Sequence, residues 1–290
     1  MGSEKVAVVT GASRGIGKGI ALELGAAGFT VYVTGRTVDA GMIPGTVGET
    51  AAQIDELGGH GIAIACDHHD DAQVRAVFER VEKEHGRLDV LVNNVYSAPD
   101  LVPWLGKKFW ELPIEAWDQV IDIGTRSHYV SSVFGAPLML ANRSGLIVNV
   151  SSSGAVSYGH NVVYGVGKAA VDKMAFDMGV DFADAGANVA SVSIWMGSLT
   201  TERLQDMMEA MPVLRQKLEG TLESAGYTGH VAWAMFNDPA MFARFNGKTL
   251  IGAELGREYG ITDMDGKFPP SVREGTGASP PEYYPYKVKM

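Results

Sequence analysis

The chain has 290 residues, of which 46% are hydrophobic and 20% are charged, and its formal net charge is −10. This acidic balance argues against an extended nucleic-acid surface, since phosphate binding needs clustered Lys and Arg side chains. The single cysteine, Cys66, cannot form a disulfide within the chain, and no apolar run approaches the ~18 residues that a membrane helix needs. We therefore expect a cytoplasmic protein with no membrane segment. We expect no signal peptide either, because the first strand begins within a few residues of Met1.

A dinucleotide-binding cradle is predicted at the N-terminus. Residues 5–10 (KVAVVT) form a short buried strand, which runs into the glycine-rich turn from Gly11 to Gly17 (GASRGIG). An Ala/Leu-rich helix then reaches about Ala27. Glycines let the backbone approach a pyrophosphate, and the free N–H groups at the helix N-terminus face its charge.

The end of the second strand predicts the choice of cofactor. Enzymes that prefer NAD place an acidic residue there, to bind the ribose 2′-hydroxyl. Here the strand Phe29–Thr34 ends in Gly35 and Arg36, and Arg14 from the glycine turn can approach the same place. Two guanidinium groups, at a place where the acidic residue is absent, favour a 2′-phosphate and therefore NADP (NADPH). The alternative is that both arginines are solvated surface residues.

The next segments alternate strands with helices, which predicts an α/β protein with a doubly wound parallel sheet. Asp67 follows the third strand, where its carboxylate can accept a hydrogen bond from an adenine amino group. His68 and His69 come next, but no other ligand lies at a metal-binding spacing, so no metal site is expected. After a loop at Val38–Gly48, the predicted elements are a helix at Glu49–Leu57, a strand at Gly61–Cys66, a helix at Asp71–Glu84 and a strand at Leu88–Asn93.

The stretch Ser151–Lys168 carries the candidate catalytic residues. It follows a predicted strand at Leu146–Val150. Tyr164 and Lys168 lie four positions apart near the start of a predicted helix at Val162–Gly179, so their side chains share one face. Such a group suits protonation of a carbonyl oxygen: Tyr164 acts as acid or base, the charge of Lys168 favours its phenolate, and a serine at the strand end orients the oxygen.

A Tyr-x-x-x-Lys spacing is weak evidence by itself, because Tyr283–Lys287 repeats it in a tail where Pro285 prevents a regular helix. The order of motifs along the chain is more specific. From about Lys5 to Tyr259 the chain resembles the short-chain dehydrogenases/reductases. The matching motifs are Thr10-Gly11-(x)3-Gly15-Ile16-Gly17, Asp67, Asn93-Asn94, a serine after the fifth strand and Tyr164-(x)3-Lys168.

The resemblance implies a Rossmann-type fold in a single domain, residues 1–260, and a hydride transfer that uses NADP(H). It also implies that Asn93 contacts the cofactor near the adenosine ribose, that Lys168 holds the nicotinamide ribose hydroxyls, and that Thr201 faces the pyrophosphate or the carboxamide. The expected cofactor contacts are Gly11, Ser13, Arg14, Gly15, Ile16, Gly17, Arg36, Asp67, Asn93, Tyr164, Lys168, Leu199 and Thr201.

Two neighbouring serines compete for the catalytic role. The serine–tyrosine spacing of most family members gives Ser151. The loop here looks one residue shorter, however, and the reactive serine of the family usually follows another serine at the strand end, which gives Ser152. Adjacent side chains at a strand end point to opposite faces, so that one of the two reaches a carbonyl. We choose Ser152.

Three places depart from the family pattern. Gly124 stands where the family usually has an asparagine, which completes a proton relay through water to the lysine. Val95 and Tyr96 follow the Asn-Asn pair, which puts an aromatic residue near the substrate mouth, and Met196-Gly197 replaces a Pro-Gly pair. Polar residues close enough in sequence to replace the relay are Asp122, Thr125 and Ser127.

Two segments are predicted on the substrate side. Tyr96–Trp117 is longer than a plain connection, and its bulky residues either shape a substrate wall or pack the insertion onto the core. Those residues are Pro99, Trp104, Phe109, Trp110 and Pro113. Thr200–Leu222 is an amphipathic helical region, which we interpret as a helical substrate lid over about residues 199–226 rather than a buried core helix. After a last strand at Thr249–Gly252, the Pro/Gly-rich tail, residues 261–290, is expected to be extended and to reach a neighbouring subunit.

The sequence thus predicts an NADP(H)-dependent oxidoreductase that acts on a small apolar carbonyl compound or secondary alcohol. One alternative is a non-catalytic NADP-binding sensor or scaffold, which Gly124 favours. Another is a ketoacyl reductase that docks an acyl carrier through basic residues such as Lys107-Lys108. The resemblance also implies a homodimer or homotetramer that pairs through helices at about Glu115–Met139 and Val162–Ala183.

Overall fold

The structure is a computed structural model, and it describes residues 5–41, 44–97, 104, 107–218 and 220–285. Pro99 and Lys287, which the sequence analysis named, lie outside the described residues. The strands of the described chain are β1 (Lys5–Thr10), β2 (Phe29–Gly35), β3 (His60–Ala65), β4 (Val90–Asn93), β5 (Ser144–Ser151), β6 (Asn188–Trp195), β7 (Ser198–Thr200), β8 (Leu222–Ser224) and β9 (Thr249–Ile251).

The α-helices alternate with the strands as far as β6. They are α1 (Gly15–Ala26), α2 (Val47–Glu56), α3 (Asp71–His85), α4 (Ser127–Asn142), α5 (Val162–Asp184), α6 (Glu202–Ala210), α7 (Pro212–Leu218), α8 (Tyr227–Asn237), α9 (Met241–Phe245), α10 (Gly252–Tyr259) and α11 (Val272–Thr276). Helical turns also occur at Phe109–Glu111, Glu115–Trp117 and Ser153–Ala155, and a π-helical segment occurs at Asp118–Arg126.

Within the described residues, seven parallel strands form one sheet in the order β3-β2-β1-β4-β5-β6-β9. The doubly wound parallel sheet expected from the sequence is therefore confirmed. The strand order reverses between β1 and β4, and ligands of such folds bind in the crevice at the carboxyl ends of the strands at this point.

Two hydrophobic cores cover the two faces of the sheet. Residues of β1 alternate between them: Ala7 and Val9 pack on one face, and Val6 and Val8 pack on the other. This alternation follows from the two-residue period of a strand. Buried residues of α1, α2 and α8 complete the first core, and buried residues of α3, α4 and α5 complete the second. Among the described residues, no helix is long and apolar enough to cross a membrane.

The predicted helix ends are close to the observed ones, and the differences have local causes. α2 begins at Val47 rather than Glu49, because the Thr46 side chain accepts a hydrogen bond from the Glu49 backbone N–H while the Glu49 carboxylate accepts one from the Thr46 backbone. This reciprocal capping box satisfies two backbone donors that a helix start leaves open.

The predicted lid region is helical but interrupted. α6 and α7 are separated at Met211, whose extended backbone (φ −131°, ψ 85°) precedes Pro212. A residue before proline disfavours the helical conformation, which explains the break. Strands β7 and β8, which flank this region in the sequence, pair in parallel with each other.

The C-terminal tail, described up to residue 285, packs against its own chain. Arg273 forms an ion pair with Glu254, and Ala278 is buried in a cluster with Trp195 and Ile251. The ring of Tyr283 packs against the ring of Phe176, with centroids 5.3 Å apart. The tail also contains the short helix α11, so that it is not extended throughout as the sequence analysis expected.

Candidate active site

A cleft of about 520 Å³ lies at the reversal point of the sheet. It is bounded by the glycine turn after β1, the ends of β2 and β3, the loop after β4, and the start of α6. The residues that line it are Gly11, Ser13, Arg14, Gly15, Ile16, Gly35, Arg36, Thr37, Cys66, Asp67, His68, Asn94, Val95, Tyr96, Ser97, Ile123, Thr201 and Glu202.

The glycine turn has the backbone shape that the sequence analysis expected of a pyrophosphate cradle. Gly11 and Gly15 have positive φ angles, 66° and 57°, which side-chain-bearing residues rarely adopt. A Cβ atom at Gly17 would lie 2.4 Å from the side-chain Nδ2 atom of Asn94. Only glycine at this position therefore lets the Asn94 side chain pack against the turn. The Asn94 amide in turn donates hydrogen bonds to the carbonyl oxygens of Thr10 and Gly11. The turn is thereby fixed against the loop after β4.

The N-terminus of α1 faces the cleft and binds an anionic group of the chain itself. The Gly15 backbone N–H donates a 3.0 Å hydrogen bond to the Glu202 carboxylate at the start of α6. A helix N-terminus with free N–H groups favours a negative charge at this place. The cradle therefore fits the pyrophosphate of a dinucleotide, and Glu202 is a cleft residue that the sequence analysis missed.

The two arginines at the end of β2 have different environments. Arg14 donates hydrogen bonds to the Thr37 hydroxyl (3.2 Å) and to the Gly45 carbonyl (2.9 Å), whereas Arg36 is exposed at the cleft. A Cβ atom at Gly35 would lie 3.2 Å from a methyl group of Val47, so the position that is often acidic is closely packed here. The cleft thus presents guanidinium groups at the point where a 2′-phosphate is expected.

Asp67 and His68 lie at the end of β3, as the sequence predicts. Asp67 lines the cleft and accepts a hydrogen bond from the His69 backbone N–H. His68 is buried, with its Nε2 atom 2.8 Å from the Thr34 hydroxyl, and burial lowers its pKa to about 4. His68 is therefore a neutral residue that supports the floor of the cleft.

Five predicted cofactor contacts lie outside the cleft lining, namely Gly17, Asn93, Tyr164, Lys168 and Leu199. The Asn93 side chain is fully buried. Its amide group donates hydrogen bonds to the Ser132 hydroxyl (2.9 Å) and to the Asn149 side-chain oxygen (3.0 Å). Its neighbour Asn94 faces the cleft instead. Gly17 serves the packing of the turn against Asn94, and Leu199 packs against the hydrophobic core.

The candidate catalytic residues meet at the carboxyl end of β5. The Ser152 and Tyr164 hydroxyl groups lie 2.7 Å apart. Ser151 is only 1% exposed, and its hydroxyl points to the backbone carbonyl of Lys168 at 3.4 Å. Asn161 caps α5 by accepting a hydrogen bond from the Tyr164 backbone N–H (2.9 Å), which fixes the start of the helix at the site. Ser152 is thus the serine beside Tyr164.

Lys168 is buried behind the tyrosine. Its side chain is 8% exposed, and its Nζ atom donates a 3.1 Å hydrogen bond to the Val150 carbonyl. Nζ also lies 5.1 Å from the ring centre of Tyr96 and 5.9 Å from that of Tyr164. Burial lowers the pKa of Lys168 to about 8, and the carboxylate of Asp172 opposes this shift.

Burial raises the pKa of Tyr164, and the hydrogen bond with Ser152 opposes this only in part. The Lys168 ammonium group donates to the Val150 carbonyl, and the expectation that its charge favours the Tyr164 phenolate stays a prediction. In this structure Tyr164 is a protonated hydroxyl, which suits it to act as an acid.

Two of the three predicted replacements for the relay asparagine, Thr125 and Ser127, donate hydrogen bonds to helix backbone. The Thr125 hydroxyl donates to the Gly167 carbonyl (3.3 Å), and the Ser127 hydroxyl donates to the Ile123 carbonyl (2.6 Å). A buried histidine that the sequence analysis missed, His128, lies close to Lys168 and bonds to the Val95 carbonyl at 3.1 Å. Burial and the charge of Lys168 lower the pKa of His128 to about 3, so this ring is neutral.

Comparison with known proteins agrees with this geometry. A family model for short chain dehydrogenases matches residues 5–212. The human protein dehydrogenase/reductase SDR family member 1 is 43% identical over 272 residues, which cover 91% of this chain and 84% of that protein.

Two solved structures have the same fold. A short chain dehydrogenase from Mycobacterium thermoresistibile has a TM-score of 0.74 at 24% identity, over 90% of this chain and 89% of that one. A 7 alpha-hydroxysteroid dehydrogenase complexed with NADH and 7-oxo glycochenodeoxycholic acid has a TM-score of 0.72 at 26% identity, over 85% of this chain and 92% of that one. Since the family model spans more than half of the chain, and the human relative is well above 30% identical, the chain belongs to the short-chain dehydrogenase/reductase family of oxidoreductases.

Proposed function

We propose that this protein is an NADP(H)-dependent oxidoreductase that transfers a hydride between the nicotinamide and a carbonyl or secondary alcohol, with Tyr164 as the general acid or base. The observation that carries the proposal is the 2.7 Å contact between the Ser152 and Tyr164 hydroxyls, in front of the buried Lys168. Tyr96 links this group to the cleft, because it lines the cleft and its ring packs edge-on against the Tyr164 ring.

Tyr164, Ser152 and Lys168 have different roles in the proposed carbonyl reduction. When bound, a nicotinamide cofactor supplies the hydride that the carbonyl carbon accepts. The Tyr164 hydroxyl gives its proton to the carbonyl oxygen, and the Ser152 hydroxyl donates a hydrogen bond to the same oxygen. The positive charge of Lys168 stabilises the tyrosinate that remains, until a proton from solvent restores the hydroxyl.

The preference for NADP is supported by charge at the cleft. Arg36 is exposed there, Arg14 is held beside Thr37, and Gly35 stands in place of an acidic residue. Charge-assisted hydrogen bonds from guanidinium groups suit a 2′-phosphate. We also propose that the protein acts in the cytoplasm, where its buried free cysteine, Cys66, stays reduced.

A small apolar carbonyl compound is the proposed substrate class. The rings of Tyr96 and His160 both pack edge-on with the Tyr164 ring, with centroids 6.1 Å and 4.6 Å from it. Exposed apolar side chains also occur at Val156 and Tyr158 in the loop before α5 and at Met211 and Val213 in the predicted lid. The hydroxysteroid dehydrogenase of the same fold was solved with 7-oxo glycochenodeoxycholic acid, whose oxo group supports a carbonyl substrate here.

The proposal is tested by assaying a panel of ketones, quinones and aldehydes with NADPH and with NADH. We expect NADPH-dependent reduction of at least one member. We also expect loss of more than about 99% of turnover in Tyr164→Phe, because the Ser152 hydroxyl is a weaker acid than tyrosine and the Lys168 ammonium group is held at the Val150 carbonyl. Binding of NADPH without turnover of any panel member would favour the non-catalytic alternative. Full turnover in Tyr164→Phe would contradict the proposed chemistry.

A further inference from the structure

Gly124 and Tyr96 fit together in space. Gly124 is buried in the π-helical segment Asp118–Arg126, and a Cβ atom there would lie 2.9 Å from Cδ2 and 3.3 Å from Cε2 of the Tyr96 ring. The ring of Tyr96 therefore fills the space that a side chain at position 124 would occupy. The two departures from the family pattern, Gly124 and Tyr96, are one structural feature.

The same ring contacts both members of the candidate catalytic pair. It packs edge-on against the Tyr164 ring at a centroid distance of 6.1 Å and an interplanar angle of 87°. The Nζ atom of Lys168 lies 5.1 Å from the Tyr96 ring centre, closer than to the Tyr164 ring centre. A buried ammonium at this distance from an aromatic face is attracted by the ring quadrupole, and the attraction grows when water is excluded.

His128 fixes the loop that carries Tyr96. Its Nε2 atom bonds to the carbonyl oxygen of Val95, the residue before Tyr96. Because a carbonyl can only accept, Nε2 carries the hydrogen. The low pKa of His128 leaves Nδ1 without a proton, so the ring is neutral. His128 thus orients Tyr96 without placing a second positive charge beside Lys168.

We propose that Tyr96 is the positioning residue for Lys168 in this chain, and that its aromatic face holds the ammonium group charged behind Tyr164. Gly124 is the residue that leaves room for the ring. The effect on turnover rests on the function proposed above, whereas the effect on Lys168 itself does not. The titratable groups that face Lys168 are Tyr96, Tyr164, His128 and Asp172, and the last of these favours its charged form.

The first test measures the ionisation of Lys168 directly, without a substrate. Lysine residues are labelled with 13C at Cε, and the Lys168 signal is assigned by its loss in Lys168→Gln. In the unaltered protein we expect titration near pH 8. Tyr96→Phe keeps the aromatic face and should leave this value within a few tenths of a unit. Tyr96→Leu removes the face and should lower it by about one unit, since the charged form loses its partner.

A fluorinated series keeps the shape of the ring and separates the electrostatic effect from packing. Phenylalanine, 3,5-difluorophenylalanine and 3,4,5-trifluorophenylalanine are incorporated at position 96, and each fluorine weakens the negative face of the ring. The Lys168 pKa should fall stepwise along the series. An unchanged Lys168 pKa in the trifluoro variant and in Tyr96→Leu would overturn the proposal, whether or not the protein reduces any carbonyl.

The second test uses turnover and the pairing with Gly124. If charged Lys168 is required, Tyr96→Leu loses about fivefold in kcat at pH 8 and less than about 1.5-fold at pH 6, a pH dependence that a packing defect does not produce. Gly124→Asn alone should also lower kcat, because its Cβ displaces the Tyr96 ring. The double variant Tyr96→Ala/Gly124→Asn should lose no more kcat than Tyr96→Ala alone, because both variants lack the ring that the introduced asparagine would displace. Additive losses in the double variant would show that the two positions act independently, which contradicts the proposal.

Discussion

The Ser152 hydroxyl lies 2.7 Å from the Tyr164 hydroxyl, while the neighbouring Ser151 hydroxyl points to the backbone of Lys168 inside the protein. A strand turns successive side chains to opposite faces, so one of two adjacent serines reaches the site and the other does not. This relationship supports the prediction that Ser152 is the serine that assists the proposed carbonyl chemistry, and the two serines provide a pair of matched variants.

Ser152→Ala should lower kcat/KM by about a hundredfold, because the carbonyl oxygen loses a hydrogen-bond donor in the transition state. Ser151→Ala should keep kcat/KM within about threefold, since that hydroxyl does not face the cleft. Steady-state kinetics with one active carbonyl substrate measures both. The reverse order of the two losses would assign the role to Ser151.

Arg36→Asp should reverse the cofactor preference. The exposed guanidinium at the cleft is replaced by a carboxylate that repels a 2′-phosphate and accepts hydrogen bonds from ribose hydroxyls. Loss of one charge-assisted contact corresponds to about ten- to a hundredfold weaker NADPH binding. Dissociation constants for NADPH and NADH are compared by fluorescence titration. Arg75→Asp, an equal charge change outside the cleft, serves as the control and should change neither constant.

Glu202→Gln should strengthen NADPH binding by about two- to fivefold. In the structure the Glu202 carboxylate accepts a hydrogen bond from the Gly15 N–H at the helix terminus, where we place the pyrophosphate. Removing its negative charge removes a competitor for that terminus. Glu209→Gln, an exposed position on the same helix, is the matched control. Weaker NADPH binding in Glu202→Gln would instead mean that the carboxylate supports the cofactor site.

Glu223 should make the folded protein less stable as the pH rises. The side chain is 1% exposed, and burial raises its pKa to about 7, with the charge of Asp263 adding to the shift. A carboxyl group whose pKa is higher in the folded than in the unfolded state stabilises the fold at low pH. That stability is lost as the pH rises from the unfolded pKa, near 4.5, through the folded one.

The free energy of unfolding of Glu223→Gln relative to the unaltered protein should therefore increase between pH 5 and pH 8 by roughly 2 kcal/mol. Urea unfolding at the two pH values measures this difference. Glu209→Gln should show no such change with pH, because its side chain is exposed. A difference that stays constant from pH 5 to pH 8 would place the folded-state pKa of Glu223 near its ordinary value.

The protein should assemble as a dimer or tetramer through α4 and α5. Both helices expose apolar side chains, and these are Tyr129, Val133, Leu140, Val162 and Val166. Burial of such a patch against a second copy around a two-fold axis removes apolar surface from water. Analytical ultracentrifugation at micromolar concentration should give a mass of at least two subunits. Val133→Glu should shift it toward one subunit, whereas Val213→Glu in the lid should not. A single-subunit mass for the unaltered protein would contradict the assembly.

Much of the fold could be predicted from the sequence, because its signals are local. Buried strands such as Lys5–Thr10 are short apolar runs, and the glycine turn after it has a backbone that few other residues adopt. Tyr164 and Lys168 share a helix face because four residues make about one turn, and Asn161 begins that helix with a side-chain cap. Each of these features joins residues that are close in sequence, so the local sequence is enough to predict it.

The tertiary structure alone decided which side chains meet across the fold. All four residues of β4 are buried, so no alternation in the sequence indicates that Asn93 faces the sheet interior and Asn94 faces the cleft. Glu202 reaches Gly15, and Tyr96 fills the space at Gly124, through packing between distant segments. The physical reason is that sequence periodicity reports burial and face, whereas the distance between two remote side chains depends on how every element between them packs.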